Sequence, residues 1–428
     1  MDAKLRALQS WVSIVVGALV LLTAVHMAAQ APAVRVTIEQ AIDMALQHNH
    51  ALQAARTTIQ QNQALEVTAN LRPNPVLLGD MQFLPLFQPG TFTSDYVDNA
   101  AQFDLGVAYL FERGEKRQHR LQAAKDQTAT TTAQVADNER TLTFNVGAQF
   151  IAAVLAQANL DFAEQGLTSF QQTVTISEAS HSAGAMSDGD LLKIKLQLLQ
   201  FQMDVSSAKL ARVQALASLR QLLGYESVPD NYEVAGDLQY QPVTVGEDDL
   251  KMLALRQRPD LRAAQLAVTA AQSQLALAQS NGKKDVTAQI NYTHVAAMST
   301  ASLFASIQLP IFDRNQGEIA RTRFAITQSQ ELSSEQSSIV LTDVANAYES
   351  LRTNDAVVKL YQSGYLKQAT DSRDISQYGY QRGATNLLDF LDAQRSYRAI
   401  ELAYRQSLAS YMIALEQLRQ AVGTRSLP

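Results

Sequence analysis

The feature that most constrains this chain is a duplication. "GAMSDGDLLK" (184–193) and "GATNLLDFLD" (383–392) align glycine on glycine and aspartate on aspartate, each residue 199 positions from its counterpart. "LRQLLG" (219–224) and "LRQAVG" (418–423) keep that offset of 199. The openings, "TIEQAIDMALQHNHALQAAR" (37–56) and "GEDDLKMLALRQRPDLRAAQ" (246–265), are offset by 209, so the first copy carries extra residues in its front part. One supersecondary plan is thus written twice, which fixes the architecture before any local reading. The expected organisation is a first repeat over 37–224, a linker over 225–245 and a second repeat over 246–423.

Proline placement says what fills each repeat. Pro73, Pro75, Pro85 and Pro89 cluster, Pro310 stands alone, and no proline falls between Pro89 and Pro229 or between Pro310 and Pro428. Because proline breaks helix interiors, those gaps are where long helices run. Phe144, Ala148, Ile151, Leu155, Ala158 and Phe162 alternate spacings of 4 and 3, and so do Val340, Val344, Ala347, Leu351, Asn354, Val358, Tyr361 and Tyr365. Such spacing is a coiled-coil seam. An ordinary amphipathic bundle helix is the alternative. The run from about Arg117 to His181 would be about 100 Å long as one helix, which a compact domain has little use for.

Between the helices the period drops to two. Val286, Ala288, Ile290 and Tyr292 alternate with Thr287, Gln289, Asn291 and Thr293. Ala301, Leu303, Ala305, Ile307 and Leu309 alternate with polar residues broken only by Phe304. In the first repeat Phe103, Leu105, Val107 and Tyr109 form such a run, with a less clear partner near Val76–Leu84. The strand pairs are placed at about 76–110 and 286–309. Strands of about ten residues with one apolar face suit a membrane β-barrel with a wet interior, or a half-buried hairpin in a soluble protein. Pro85–Asn99 accounts for the extra first-copy residues as a long loop, against a short turn near Met298.

The N-terminus reads as a signal peptide over 1–31. Lys4 and Arg6 precede the apolar run Trp11–Val25, and small residues follow, with cleavage placed anywhere from 28 to 33. The apolar run is short for a spanning helix of about 20 residues, and a retained anchor is the alternative. No later segment reads as a transmembrane helix, so an exported chain that meets a membrane again does so as strands. The absence of cysteine excludes disulfides, thiolate metal sites, cysteine catalysis and a lipid anchor on an N-terminal cysteine. A net charge of −6 without a basic stripe argues against nucleic acid.

Two hairpins cannot close a barrel, so such a chain must oligomerise. Here it resembles the TolC family of outer-membrane efflux factors over nearly all of its mature length. The resemblance rests on the duplicated "ALxxNxxLxxAR"-like opening, strand pairs alternating with long helices, the join "LPIFDRNQGEIARTR" (309–323) and "YGYQRGATNLLDFLDAQRSY" (378–397). The join is similar to the heavy-metal, CzcC- and CusC-like branch. The implied fold is mainly α with a membrane β-barrel portion: a homotrimer whose twelve-stranded barrel in outer-membrane lipid continues into a periplasmic α-helical tunnel. The implied function is the passive duct of a tripartite efflux system in a Gram-negative bacterium. An inner-membrane pump of the RND type and a periplasmic adaptor deliver substrate, with heavy-metal cations among the candidates. A drug-efflux or type I protein-secretion duct is the alternative within the family. An exported coiled-coil scaffold that never enters a membrane is the alternative outside it.

By the resemblance, Gly184 and Gly383 turn the chain at the periplasmic tips, and Gly184, Ala185, Met186, Gly383, Ala384 and Thr385 dock the adaptor. Asp389 and Asp392 align with the acids that line the constriction, Tyr380 with a gate tyrosine, and Asp190 is the first-copy counterpart of Asp389. Asp389 and Asp392 share one helical face; a solvated face at a helix N-terminus is the alternative. The sequence departs from the family pattern where Thr385 replaces a gate-tethering arginine and Lys193 stands opposite Asp392. His48 and His50 have no further ligands at metal spacing. No phosphate loop, hydrolase elbow or triad is present, so neither a cofactor nor catalysis is expected.

Overall fold

The structure is a computed structural model that describes residues 34–427. The expected signal peptide and its cleavage site lie outside the described residues. The first repeat contains β1 (Arg35–Val36), α1 (Ile38–His48), α2 (His50–Ala69), β2 (Val76–Gln82), α3 (Ser94–Asn99), β3 (Gln102–Phe111), α4 (Lys116–Ser182) and α5 (Asp188–Leu223). β4 (Glu233–Val234) follows and pairs in parallel with β1. The second repeat contains α6 (Glu247–Gln257), α7 (Pro259–Asn281), β5 (Val286–Val295), β6 (Met298–Ile307), α8 (Gln316–Leu360), α9 (Leu366–Gln381) and α10 (Leu387–Val422).

The repeats bury equivalent positions. Ala41, Ala45 and Leu52 pack with Leu219 and Leu223 in the first core; Leu250, Ala254 and Leu261 pack with Leu418 and Val422 in the second. α1 starts on a capping box, Thr37 with Gln40.

α4 spans 67 residues without interruption. The expected seam on it is displaced. Its buried row is Leu142, Val146, Phe150, Val154 and Leu160; of the expected seam Ile151 is buried as well, while Phe144, Ala148, Leu155, Ala158 and Phe162 are only half-buried. α4 packs against α2, α5, α7 and α10 at once, so it buries a broad arc where a two-helix coil would bury a narrow stripe. On α8, Val340, Val344, Ala347, Leu351 and Val358 of the expected row are buried and Asn354 is half-buried, but the row ends there. A single π-turn at Tyr361–Tyr365, with Gly364 at φ 132°, separates α8 from α9. The wide turn shifts the register: Tyr365 is exposed and Ala369 is the next buried residue.

β2, β3, β5 and β6 form one antiparallel sheet in that order. Register puts Leu77, Val107, Ile290 and Leu303 side by side, then Leu105, Tyr292 and Ala301, on one face. The other face aligns Asp80, Asp104, Thr293 and Thr300. The apolar face is uncovered, with Ile290 54% and Leu303 82% exposed. Both outer strands, β2 and β6, have an unpaired edge among the described residues.

Candidate functional site: the helical tips and the inter-hairpin wall

α4 and α5 are joined by a turn at Gly184, and α9 and α10 by a turn at Gly383, with φ of 76° and 72°. Each is a Schellman motif. The Ala185 N–H donates to Ser180 O and Gly184 N–H to His181 O, both at 2.9 Å; Ala384 N–H donates to Gly379 O at 2.8 Å and Gly383 N–H to Tyr380 O at 3.1 Å. Glycine is favoured because a side chain at this φ crowds its own backbone.

The next helix starts the same way in both. The Asp190 N–H donates to Ser187 Oγ at 3.1 Å, and Ser187 Oγ donates back to the Asp190 carboxylate at 2.9 Å. The Asp389 N–H donates to Asn386 Oδ1, and Asn386 Nδ2 donates to the Asp389 carboxylate, both at 2.9 Å. Capping and the helix dipole therefore account for Asp190 and Asp389 without any pore. Ser187, then Lys193, hold the exposed Asp190 carboxyl below its ordinary value. Asp392 is different. It lies one turn further along, is exposed, and among the described residues pairs only with Arg395. Capping gives no reason for a carboxylate there.

The structure does not gather all of the expected gate residues. Asp389 and Asp392 lie on the exposed side of α10. Tyr380 instead stacks on Phe390, centroids 5.1 Å apart and planes 6° apart. It leans on a core of Phe170, Val174, Ile194, Phe201, Leu387 and Phe390 that joins the two hairpins, and its buried hydroxyl has no partner among the described residues. Met186 leans on the same core, and the Thr385 side chain lies over Gly379. Gly184, Ala185, Gly383 and Ala384 are exposed at the tips.

Above the tips the hairpins are tied by arginines. Arg398 of α10 pairs with Asp204 of α5 and stacks over Phe201; Arg405 covers Phe162 and donates to Ala158 O at 2.7 Å. Helix packing follows the order α5, α4, α10, α9. The outer helices carry unpartnered apolar rows. Leu192, Leu196, Leu199, Met203, Ser206, Leu210 and Val213 run along α5 at coiled-coil spacing and are all exposed; Ile375 and Tyr378 are exposed on α9. The reading of the sequence missed the α5 row, although its alternating spacings were visible, and it missed Arg395 as the partner of Asp392. His48 and His50 are split between the end of α1 and the start of α2, and His50 lies 3.4 Å from Glu226. No cluster of metal-binding side chains occurs among the described residues.

The profile described as "Outer membrane efflux protein" matches residues 41–225 and 250–424, one segment in each repeat. The chain belongs to the outer membrane efflux protein family. It is 24% identical to the cobalt-zinc-cadmium resistance protein CzcC of Cupriavidus metallidurans over 86% of this chain and 85% of that protein. It is 23% identical to the pyoverdine export outer membrane protein OpmQ of Pseudomonas aeruginosa over 90% of this chain and 83% of that protein. A crystal structure of CusC superposes with a TM-score of 0.75 at 19% identity, covering 93% of this chain and 96% of that one. The resemblance to the TolC family and its heavy-metal branch is borne out, and the expected fold class with it. The protein is an outer-membrane efflux channel.

Proposed function

We propose that three copies close head to tail into the passive duct of a tripartite efflux system. The observation that carries this is a coincidence of free edges at two levels. The first repeat ends the sheet with β2 and the helical wall with α5; the second ends them with β6 and α9. One rotation that pairs β6 with the next copy's β2 therefore also brings α9 to the next copy's α5. Two copies would give a narrow barrel of eight strands that side chains fill. Three leave a lumen, lined by the face that carries Asp80, Asp104 and Thr293.

The tips Gly184, Ala185 and Met186 and Gly383, Ala384 and Thr385 are proposed to meet the periplasmic adaptor, because small exposed residues permit close helix approach. Asp389 and Asp392, with Asp190 beside them, are proposed to ring the periplasmic aperture, with Tyr380 bracing α10 from behind through Phe390. An inner-membrane pump of the RND type supplies the energy; the chain has no catalysis of its own. Metal cations are the proposed substrates, supported by the likeness to CzcC; the proposed carboxylate rings would favour cations. Native mass spectrometry of the detergent-extracted protein is expected to give the mass of three chains. Deleting the chain is expected to lower tolerance to cobalt, zinc or cadmium salts. A monomer, or unchanged tolerance in a strain whose pump is intact, contradicts the corresponding half of the proposal.

A further inference from the structure

The duplication supplies an internal control for one segment. In the first repeat three residues, Glu112, Arg113 and Gly114, separate the last strand residue Phe111 from Glu115, the cap of α4. In the second repeat seven residues, 308–314, separate Ile307 from Asn315, the cap of α8. The two caps have the same left-handed backbone, φ 60° and 61°, so the joints are equivalent and the second has gained a short insertion. That insertion is apolar and bare. Leu309 is 72% exposed, Ile311 62% and Phe312 89%.

Its position says what covers it. On β6, Ala301, Leu303, Ala305 and Ile307 face the uncovered side of the sheet, and Leu309 and Ile311 follow just past the strand end, where the chain turns tightly at Pro310. The segment satisfies its own backbone: the Ile311 N–H donates to Leu309 O at 2.8 Å, Arg314 Nε to Pro310 O at 3.0 Å and Gln316 Nε2 to Phe312 O at 3.0 Å. Backbone that leaves bulk water needs such closure. Around this end of the sheet stand Arg72, Arg113, Lys283 and Arg314, all exposed and none with an ion-pair partner among the described residues; they outnumber the exposed carboxylates of the same joints, Glu115 and Asp313, the latter paired with Lys284. The joints touch one another here, since a side chain at Gly114 would meet Lys283 and one at Gly282 would meet the Arg314 carbonyl. Apolar residues that continue a lipid-facing surface and end at a cationic rim match the chemistry of an anionic phospholipid interface.

The geometry points to Leu309–Phe312 as a wedge seated among the headgroups and upper acyl chains of the periplasmic leaflet, held by lipid phosphates on Arg113, Lys283 and Arg314. This rests on the barrel reading above. It adds to it a depth marker, present once per chain, that sets where the barrel ends and the tunnel begins.

Trp11 is the one tryptophan of the chain, so a Trp11→Phe background allows single reporters in the full-length protein. Phe312→Trp is placed in bilayers of phosphatidylglycerol or phosphatidylcholine containing brominated lipid, with Leu303→Trp and Phe324→Trp as controls. Phe312→Trp is expected to emit at shorter wavelength than Phe324→Trp and to lose more intensity to lipid brominated near the headgroup than to lipid brominated at the chain end. The loss is expected to be larger in phosphatidylglycerol. Equal loss in both lipids removes the cationic rim from the proposal. A Phe312→Trp that brominated lipid does not touch overturns the wedge, whether acrylamide reaches it (water) or not (a neighbouring protomer or adaptor). If Leu303→Trp also escapes lipid quenching, the barrel reading itself has failed, and the two failures are told apart.

Discussion

At the head of the first repeat, Asn49 separates α1 from α2 and donates through Nδ2 to Leu222 O at 3.0 Å. At the same place in the second repeat, Arg258 separates α6 from α7 and donates through Nη1 to Ala421 O at 3.2 Å. One backbone job, closing the C-terminal end of the last helix of its own repeat, is done by a neutral amide in one copy and a buried guanidinium in the other. The charge brings company. The Arg258 side chain is 3% exposed, holds Asp260 in a two-pronged pair at 2.5 and 3.0 Å, and reaches Asp343 at 2.8 Å. Arg140 of the first repeat approaches Asp260 at 3.6 Å and donates to Gln420 O at 2.7 Å, so this cluster also ties the repeats together. The tips show the same division. Two matching Schellman turns carry an Asp190–Lys193 pair in one copy and Asp389 with Asp392 in the other. Duplication preserves the backbone solution and leaves side chains free to specialise, and the second repeat holds the specialised set.

The joints should differ most. Arg258→Ala strands the largely buried Asp260 carboxylate and unpairs the half-exposed Asp343, and is expected to cost about 3–5 kcal/mol, whereas Asn49→Ala loses a cap and one hydrogen bond, about 1–2 kcal/mol. Thermal unfolding in detergent measures both, and equal costs would dissolve the distinction. The pH dependence sharpens it. Burial works to raise the Asp260 carboxyl, but Arg258, with Arg140 adding, holds it below its ordinary value of 3.8. A carboxyl lowered by folding contributes stability above its unfolded value, lost as pH falls through the folded one. The wild type should therefore lose stability below about pH 4, and Asp260→Asn, with that linkage removed, should fall less steeply there.

The next largest contrast lies within the sheet. Ile290 and Asn291 are neighbours on opposite faces. Arginine at Ile290 is expected to cost roughly 2–4 kcal/mol in the bilayer and to reduce trimer yield, while Asn291→Arg faces the lumen and is tolerated. Equal yields would reverse or abolish the assigned faces.

How much of this was legible in the sequence depended on whether the signal was local. The duplication, the long helices, the strands and their lipid face were written as spacing, because helix and strand periods differ. The turn glycines were written as a repeat. The α4 seam was misplaced because its neighbours α2, α7 and α10 are remote in sequence, and they decide which arc is buried. The π-turn at Tyr361–Tyr365 left only Gly364 as a mark. At the tips, Asp389 and Asp392 looked alike in sequence; only the hydrogen bond to Asn386 separates a capping aspartate from one that capping does not explain. Tyr380 was given a gate role by resemblance, but its packing was not legible, since its site is made by Phe390 and the opposite hairpin.

The smallest contrast is at those tips. Asp389→Asn together with Asp392→Asn is expected to lower cation preference and block by divalent cations in single-channel recordings, with the trimer intact. Asp190→Asn, whose charge Lys193 already offsets, is expected to change both less. The reverse order would move the aperture to the first repeat.

The head-to-tail closure is tested most directly by cysteine pairs, for which the cysteine-free chain is a clean background. Counted from the turns, Leu196 on α5 and Ile375 on α9 lie at nearly the same height. The double variant Leu196→Cys with Ile375→Cys, treated in outer membranes with a short bis-maleimide, is expected to give a covalent trimer on a denaturing gel, while each single variant stays a monomer. Monomers alone from the double variant, or dimers from either single variant, would contradict a closure of α5 against the next copy's α9.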